Sequence, residues 1–253
     1  MKLIDSHCHI DFDQFSPDRS EVLRRCLSLN VDKIIVPGVI AKTWDHLLEV
    51  CQQSELLYPA LGLHPMFMPH HQDNDPALLI DYIDAYHPIA VGEIGLDFYL
   101  SNHDKLIQIA LFEKQLKVAA TFNLPVILHV RKAHDQVILL LRKYSIKGGI
   151  VHSFNGSEQQ AKDYIKLGFL LGVGGAISYS RANRLRNMFS KLPLSALVLE
   201  TDAPDMPLQD QKGTRNSPEF IPHILDILVE LRPESASAIA QTTTANVRAL
   251  LSI

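Results

Sequence analysis

Eight short apolar segments recur along this chain, and longer stretches of helical period separate them. Alternation of strand-like and helix-like segments is typical of α/β proteins with a parallel sheet. Eight such pairs are what a (β/α)8 TIM barrel requires, and 253 residues are an ordinary length for one. A doubly wound open sheet is the alternative. The predicted strands are Leu3–His7, Lys33–Pro37, Tyr58–Gly62, Ile89–Glu93, Val126–His129, Gly149–His152, Phe169–Val173 and Ala196–Glu200.

The chain reads as one folded domain. Its hydrophobic content is 47%, which is ample for a large core and argues against disorder. No Pro- or Gly-rich linker, low-complexity tract or internal repeat divides it, so we predict a single domain over residues 1–253. A helix is predicted over Asp104–Phe122, with Leu106, Ile109 and Leu116 on its apolar face.

Composition limits the compartment and the partners. No stretch approaches the roughly 18 apolar residues of a membrane span, and Asp5 interrupts the apolar run that a signal peptide would continue. The three cysteines fit reduced thiols better than a disulfide framework. We therefore expect a cytoplasmic protein without membrane contact. We also expect a monomer. The net charge of −4, without a run of Lys and Arg, argues against a broad duplex-binding face, so nucleic-acid contacts would be local.

Ligand-type residues follow several of the predicted strands. His7 and His9 stand two apart, and residues two apart on a strand point to the same face. In a barrel the active site lies at the carboxyl ends of the strands, so residues that close different strands meet at one rim. An incidental surface pair or buried core histidines are the alternatives. The predicted metal ligands are His7, His9, Glu93, His129, His152 and Asp202.

Four imidazoles and two carboxylates can hold two divalent ions, which activate water without a nucleophilic side chain. Glu93 would be costly to bury unless it is paired or bound to metal, and we predict that it bridges the ions rather than forming a salt bridge. Asp202 suits a double role as ligand and general base, so Asp202 and Glu93 are the predicted catalytic residues. Asp97 either supports the ligands or caps a helix. The imidazoles favour zinc, manganese, nickel or iron.

Substrate contacts are predicted from the residues around these positions. Arg131 and Lys132 follow His129, and such cations suit a phosphate, although solvated charges are the alternative. His64 follows the third strand and Arg215 the eighth, and both are predicted to meet substrate. Arg181, Arg184 and Arg186 form a possible second basic patch. The histidines left as structural are His46, His70, His71, His87, His103, His134 and His223.

Five segments resemble motifs of the TatD family of metal-dependent deoxyribonucleases, within the amidohydrolase-like barrel superfamily. The resemblance covers almost the whole chain and implies a (β/α)8 barrel with the same six metal ligands. It also implies hydrolysis supported by magnesium or manganese, chiefly as a 3′-to-5′ exonuclease on DNA. The segments are Asp5-Ser6-His7-Cys8-His9, Gly92-Glu93-Ile94-Gly95-Leu96-Asp97, His129-Val130-Arg131, His152-Ser153-Phe154 and Glu200-Thr201-Asp202-Ala203-Pro204.

Two segments depart from the better-known family nucleases. Ser217 stands where an Arg-Asn-Glu-Pro-like segment carries its glutamate, and the stretch from Ala203 to Leu208 resembles a less studied branch. The leading hypothesis is a two-metal phosphodiester hydrolase that removes nucleotides from a single-stranded DNA end. One alternative keeps the metals but takes a small amide, ester or phosphoester. Another is a metal-binding or interaction protein without catalysis.

Overall fold

A computed structural model describes residues 1–99 and 104–253, and in these ranges eight parallel strands form one sheet in the order of the chain. Each strand pairs with the next, so the TIM barrel predicted from the sequence is confirmed. His103 lies outside the described residues. The strands are β1 (Leu3–Asp5), β2 (Val31–Pro37), β3 (Leu57–Leu61), β4 (Ala90–Asp97), β5 (Val126–Arg131), β6 (Gly149–Val151), β7 (Phe169–Val173) and β8 (Leu197–Leu199).

A helix follows each strand, and one more helix ends the chain. No helix within the described ranges is long and apolar enough to cross a membrane. The helices are α1 (Arg19–Ser28), α2 (Trp44–Gln52), α3 (Asp75–Tyr86), α4 (Lys105–Thr121), α5 (His134–Leu141), α6 (Glu158–Lys166), α7 (Asn183–Lys191), α8 (Ile221–Leu231) and α9 (Ala236–Leu251).

An apolar layer fills the amino-terminal half of the barrel. Val247 and Leu251 of α9 pack against this layer. Ile127 lies two residues before His129 on the same face of β5, and Ile150 lies two residues before His152, which directly follows β6. This apolar layer therefore lies directly beneath the polar residues at the carboxyl end of the barrel. Its buried strand residues are Ile4, Ile35, Ala60, Ala90, Ile127, Ile150 and Val198.

The ends of β1 and β8 are joined where the barrel closes. Ser6 donates its backbone N–H to the carbonyl of Leu199 over 2.9 Å, and Asp202 donates its own to the carbonyl of His7 over 2.9 Å. Asp202 has a left-handed backbone with φ of 58°, a conformation that Asp tolerates better than most residues. These contacts place His7 and Asp202 side by side although they are far apart in sequence.

Asp5 supports the same junction from below. Its buried carboxylate accepts the Thr201 N–H over 2.9 Å, the Thr201 hydroxyl over 2.5 Å and the His7 N–H over 3.2 Å. Burial raises the pKa of Asp5 to about 8, against the hydrogen bonds that lower it. Asp5 thereby ties the backbone that carries His7 to the backbone that leads to Asp202.

Two strands extend further than the sequence predicts. β4 continues to Asp97 and β5 to Arg131, and these two terminal residues pair with each other. Glu93 and His129 therefore lie inside strands rather than at their ends, and the prediction that they close their strands is wrong. Glu and Gly have low strand propensity, but pairing with a neighbouring strand overrides that local preference.

The buried face of α4 also differs from the prediction. Leu106 is 75% exposed, whereas Gln108 and Gln115 are buried. Gln108 exchanges two hydrogen bonds with the backbone of Asp97, over 2.8 and 3.0 Å. Gln115 does the same with the backbone of Leu63, over 2.8 and 3.0 Å. These amides form hydrogen bonds with backbone groups that no neighbouring strand pairs. Polar residues therefore occupy the buried face of α4, where the apolar pattern predicted Leu106.

Candidate metal centre

Glu93 lies at the centre of a cluster of imidazoles at the carboxyl end of the barrel. Its carboxylate is almost completely buried. Both oxygens face ring nitrogens, which is an arrangement that a buried carboxylate needs to remain ionised. The ring nitrogens nearest to the Glu93 oxygens belong to His64 (2.9 Å), His152 (3.0 Å), His7 (3.1 Å), His129 (3.1 Å) and His9 (3.4 Å).

The structure brings together all six residues that the sequence proposes as ligands. Asp202 lies beside the cluster, with Oδ1 at 3.5 Å from Nε2 of His7 and 3.9 Å from Nε2 of His9. Three overlapping sets have ligand atoms that all lie within 4.8 Å of one another. They are His7 with Glu93 and His152, His7 with His9 and Asp202, and His64 with Glu93 and His129.

Hydrogen bonds on the outer side of two rings determine which nitrogen faces the cluster with a lone pair. Nδ1 of His9 lies 3.1 Å from the carbonyl of Pro37, and Nε2 of His129 lies 3.0 Å from Oδ2 of Asp97. A carbonyl or carboxylate only accepts, so each of these nitrogens carries the hydrogen of the neutral ring. In the neutral ring, the remaining nitrogen of each histidine is then a lone-pair donor toward the centre. That is the arrangement that metal-binding histidines usually have.

Facing nitrogens give a second test of whether a metal fits. Nε2 of His7 lies 3.2 Å from Nε2 of His9, and Nδ1 of His129 lies 3.2 Å from Nε2 of His152. At most one hydrogen can stand between two such nitrogens. When it stands between those of His7 and His9, Oε2 of Glu93 beside them still needs another positive centre. A divalent cation meets this requirement, and imidazole with carboxylate is a donor set that such ions accept.

His64 differs from the other histidines. Its Nδ1 accepts the backbone N–H of Met66 over 3.0 Å, so the hydrogen of the neutral ring is on Nε2. That hydrogen is donated to Oε1 of Glu93. His64 therefore orients the carboxylate and offers no lone pair to the centre. Its predicted contact with substrate stays a prediction.

The charges in the cluster depend on one another. Burial would raise the pKa of Glu93, but the surrounding imidazoles hold it well below its usual range. Burial would lower the pKa of His9 and His152, but the charge of Glu93 and its hydrogen bonds raise them to about 8 and about 10. Burial and the neighbouring His152 lower the pKa of His7. Glu93 is thus the anionic centre toward which the rings converge.

Comparison with known proteins decides the family. The sequence model described as TatD related DNase matches residues 4–252. This chain belongs to the TatD family. It is 41% identical to the uncharacterized metal-dependent hydrolase YjjV of Escherichia coli K12, over 100% of this chain and 98% of that protein. The crystal structure of YjjV superposes with a TM-score of 0.96 over 99% of this chain and 98% of that chain.

A second relative is better described. The chain is 28% identical to the 3′-5′ ssDNA/RNA exonuclease TatD of Escherichia coli K12, over 99% of each protein. It is also 30% identical to the uncharacterized metal-dependent hydrolase YabD of Bacillus subtilis, over 99% of each. The chain is accordingly a metal-dependent hydrolase of the TatD family, and some of its relatives are described as nucleases.

Two carboxylates lie behind the TatD-family cluster, next to its histidines. Asp97 contacts His129 through Oδ2, and its Oδ1 accepts the backbone N–H of Tyr99 over 3.0 Å. The sequence left Asp97 between a supporting role and a helix cap, and the structure gives it the supporting contact. Because Asp97 holds His129 on its outer nitrogen, it fixes the orientation of that ring.

Glu200 is the second of these carboxylates, and sequence reasoning missed it. It is fully buried, accepts the backbone N–H of Ser153, and has Oε1 at 3.8 Å from Nδ1 of His152. Burial raises its pKa to about 7. A Cβ at Gly172 would lie 2.2 Å from Oε2 of Glu200, so only glycine leaves room for it. The available signal was an acid directly before Thr201-Asp202 at the end of an apolar strand.

The predicted substrate residues fall in different places. Arg131 and Lys132 line a cavity beside the cluster. Arg215 pairs with Asp18 over 2.7 Å and also donates to the carbonyl of Gln14, so the structure places it in an outer ion pair. Its substrate contact stays a prediction.

Ser217, which departs from the family pattern, is buried and donates its hydroxyl to Glu219 over 2.7 Å. The departure thus lies in a packed loop.

The three arginines after β7 do not form one patch. Arg184 lines the same cavity as Arg131 and donates to two backbone carbonyls of the loop after β6. Arg186 instead donates to the carbonyl of Ile177, and Arg181 lies over the ring of Tyr179. The fold therefore selects Arg184 from the three and joins it to cations from a different loop.

Proposed function

We propose that this protein is a two-metal phosphodiesterase that removes nucleotides from the 3′ end of single-stranded DNA. The observation that carries the proposal is the division of the Glu93 carboxylate between two sets of imidazoles. Oε2 faces His7 and His9, whereas Oε1 faces His129 and His152. A carboxylate with one oxygen toward each set has the arrangement of a bridging ligand. Asp202 adds an oxygen to the first set.

The residues of the two sets fit divalent ions by their donor chemistry. His7, His9, Asp202 and Oε2 of Glu93 would hold one ion, and His129, His152 and Oε1 of Glu93 the other. When bound, such a pair of ions lowers the pKa of water and stabilises charge on the attacking and leaving oxygens. The imidazole-rich set suits zinc, manganese, nickel or iron, and magnesium or manganese is the activating ion that the resemblance implies.

The side chains of this chain do the remaining work. Burial raises the pKa of Asp202, which makes its carboxylate a better proton acceptor than an exposed aspartate. Asp97 and the carbonyl of Pro37 fix two rings, and His64 fixes Glu93, so the site is rigid before substrate arrives. Arg131 and Lys132 line a cavity beside the cluster, where they would position a phosphate.

The family comparison supports this substrate class. A TatD relative that matches 99% of the chain is described as a 3′-5′ ssDNA/RNA exonuclease. The net charge of −4 suits a few local phosphate contacts better than a broad duplex-binding face. A metal-dependent reaction at a strand end requires only such local contacts.

The test is a cleavage assay on single-stranded DNA labelled at the 3′ or the 5′ end, with a chromogenic phosphodiester beside it. The purified protein is reconstituted with magnesium, manganese or zinc, and the His152→Ala and Asp202→Ala variants are the controls. Shortening from the 3′ end that needs added metal and disappears in both variants is the expected result. Cleavage of the chromogenic ester alone would contradict the DNA substrate and favour a small phosphoester.

A further inference from the structure

A cavity of about 830 Å³ opens beside the candidate metal centre. The end of β5, the first turn of α5, the loop after β6 and the start of α7 form its walls. Three cationic side chains line it, Arg131, Lys132 and Arg184, in a chain whose net charge is −4. The lining also includes Asp135, whose Oδ1 accepts a hydrogen bond from Gln160 over 2.7 Å. The local charge of the cavity is therefore opposite to that of the whole chain.

Asp97 connects this cavity to the metal centre. One oxygen contacts His129, and the other accepts the backbone N–H of Tyr99, which lines the cavity. The guanidinium of Arg131 lies 3.7 Å from the centroid of the Tyr99 ring. Arg131 follows His129 by two residues in the same strand, a rise of roughly 7 Å. Arg131 thus lies next to a candidate ligand, and Lys132 and Arg184 line the same cavity.

The arginines are ordered before any ligand binds. Arg184 donates from Nη1 to the carbonyl of Gly156 over 2.6 Å and from Nη2 to that of Asn155 over 2.7 Å. A guanidinium has five N–H donors, so others stay available. Stacking on Tyr99 leaves the edge of Arg131 available for a bidentate contact with phosphate. Lys132 is exposed and adds a third positive charge.

We propose that this cavity binds a second phosphate of the substrate, adjacent to the phosphodiester that is hydrolysed. The inference rests on the proposed function and names its substrate class, an oligonucleotide end that carries at least two phosphates. The two guanidinium groups of Arg131 and Arg184 and the ammonium of Lys132 around one cavity match an anionic phosphate. The volume lies within the range of pockets that hold ligands of nucleotide size. A diester with a single phosphate would leave these cations without a partner.

The test compares three dinucleotides that differ only in a terminal phosphate. Thymidylyl-thymidine (TpT), its 5′-phosphorylated form (pTpT) and its 3′-phosphorylated form (TpTp) are each incubated with the manganese-reconstituted protein, and kcat/KM is measured by chromatography. We expect about tenfold higher kcat/KM for pTpT or TpTp than for TpT, the scale of one charge-assisted contact. Lys132→Gln and Arg184→Gln should each reduce that ratio. Lys166→Gln, an exposed lysine of α6, makes the same charge change elsewhere and should not.

Two results would overturn the proposal. One is equal kcat/KM for the three dinucleotides in the unmodified protein, and the other is a loss in Lys132→Gln and Arg184→Gln that is the same for all three. Arg184→Lys keeps the charge but not the fork, so partial recovery of the ratio separates charge from loop support.

A binding measurement keeps the subsite testable if the proposed function fails. If no dinucleotide is cleaved, calorimetric titration of the Asp202→Ala protein with pTpT, TpTp and TpT still reports on the cavity. Tighter binding of a doubly phosphorylated form, weakened by adding Lys132→Gln, supports the inference. Equal binding of all three overturns it. The salt dependence should also fall by about 0.7 in log–log slope per lost phosphate contact.

Discussion

His64 donates its Nε2 hydrogen to Oε1 of Glu93 over 2.9 Å, so the two residues form a donor–acceptor pair rather than a pair of ligands. The backbone N–H of Met66 decides this, because it occupies the only lone pair of the neutral ring. His9 has the opposite arrangement, since the carbonyl of Pro37 takes its Nδ1 hydrogen. Two histidines around one carboxylate therefore have different tasks.

Metal affinity should separate these two histidines. His9→Ala removes a lone-pair donor, and we expect it to weaken manganese binding more strongly than His64→Ala. His64→Ala loses only an orienting contact, for which a loss of about 10–100-fold in affinity is typical. His64→Gln can keep an N–H near Oε1 of Glu93 and should recover most of that loss. Equilibrium dialysis with elemental analysis measures all three, and equal losses in His9→Ala and His64→Ala would contradict the assignment.

Removing the carboxylate charge of Asp202 should affect turnover more than substrate binding. Asp202→Asn keeps the size of the side chain but cannot accept the proton, and a positioned general base typically contributes about 10²–10⁴-fold to the rate. We expect a fall in kcat of that order, with metal content checked in the same preparation. Wild-type turnover in a metal-loaded Asp202→Asn protein would refute the general-base role.

The buried amides of α4 should matter for stability. Gln115→Leu removes both partners of the Leu63 backbone, and each buried group left without a partner costs about 1–3 kcal/mol. We expect the free energy of unfolding in urea to fall by about 2–6 kcal/mol on that basis. Gln159→Leu, on the exposed surface of α6, is the matched control and should change it little. Equal effects of the two substitutions would argue against the backbone contacts.

Acid should destabilise the protein partly through His134. Burial lowers its pKa from the ordinary 6.5, and the two nitrogens of its neutral ring form hydrogen bonds with Tyr164 and Asn155. As the pH falls below about 6.5, the unfolded chain takes up the proton first, so stability decreases toward the lower folded pKa. In His134→Asn, the side chain at this position takes up no proton in this pH range. The stability difference between wild type and His134→Asn should therefore shrink between about pH 8 and about pH 5, and a constant difference would disprove the linkage.

The sequence by itself determined the barrel and the positions of the chemically relevant residues. Strand and helix periods are local properties, so the eight alternating strand-like and helix-like segments predicted the fold that the structure has. Carboxyl ends of parallel strands meet at one rim, so the sequence predicted that His7, His152 and Asp202 lie close together, as they do. The order of apolar and polar residues along the chain was enough for these two predictions, because that order reflects which residues are buried and in which direction each strand runs.

The tertiary structure decided what depends on partners distant in the chain. Pairing between neighbouring strands carried β4 past Glu93, and a backbone N–H fixed the tautomer of His64. Gln108 and Gln115 lie on the buried face of α4 because their amides form hydrogen bonds with backbone groups of Asp97 and Leu63. Hydrogen bonds to the loop after β6 brought Arg184 to the cavity of Arg131. Hydrogen-bond partners and charges close in space set these features, and spacing along the chain does not encode them.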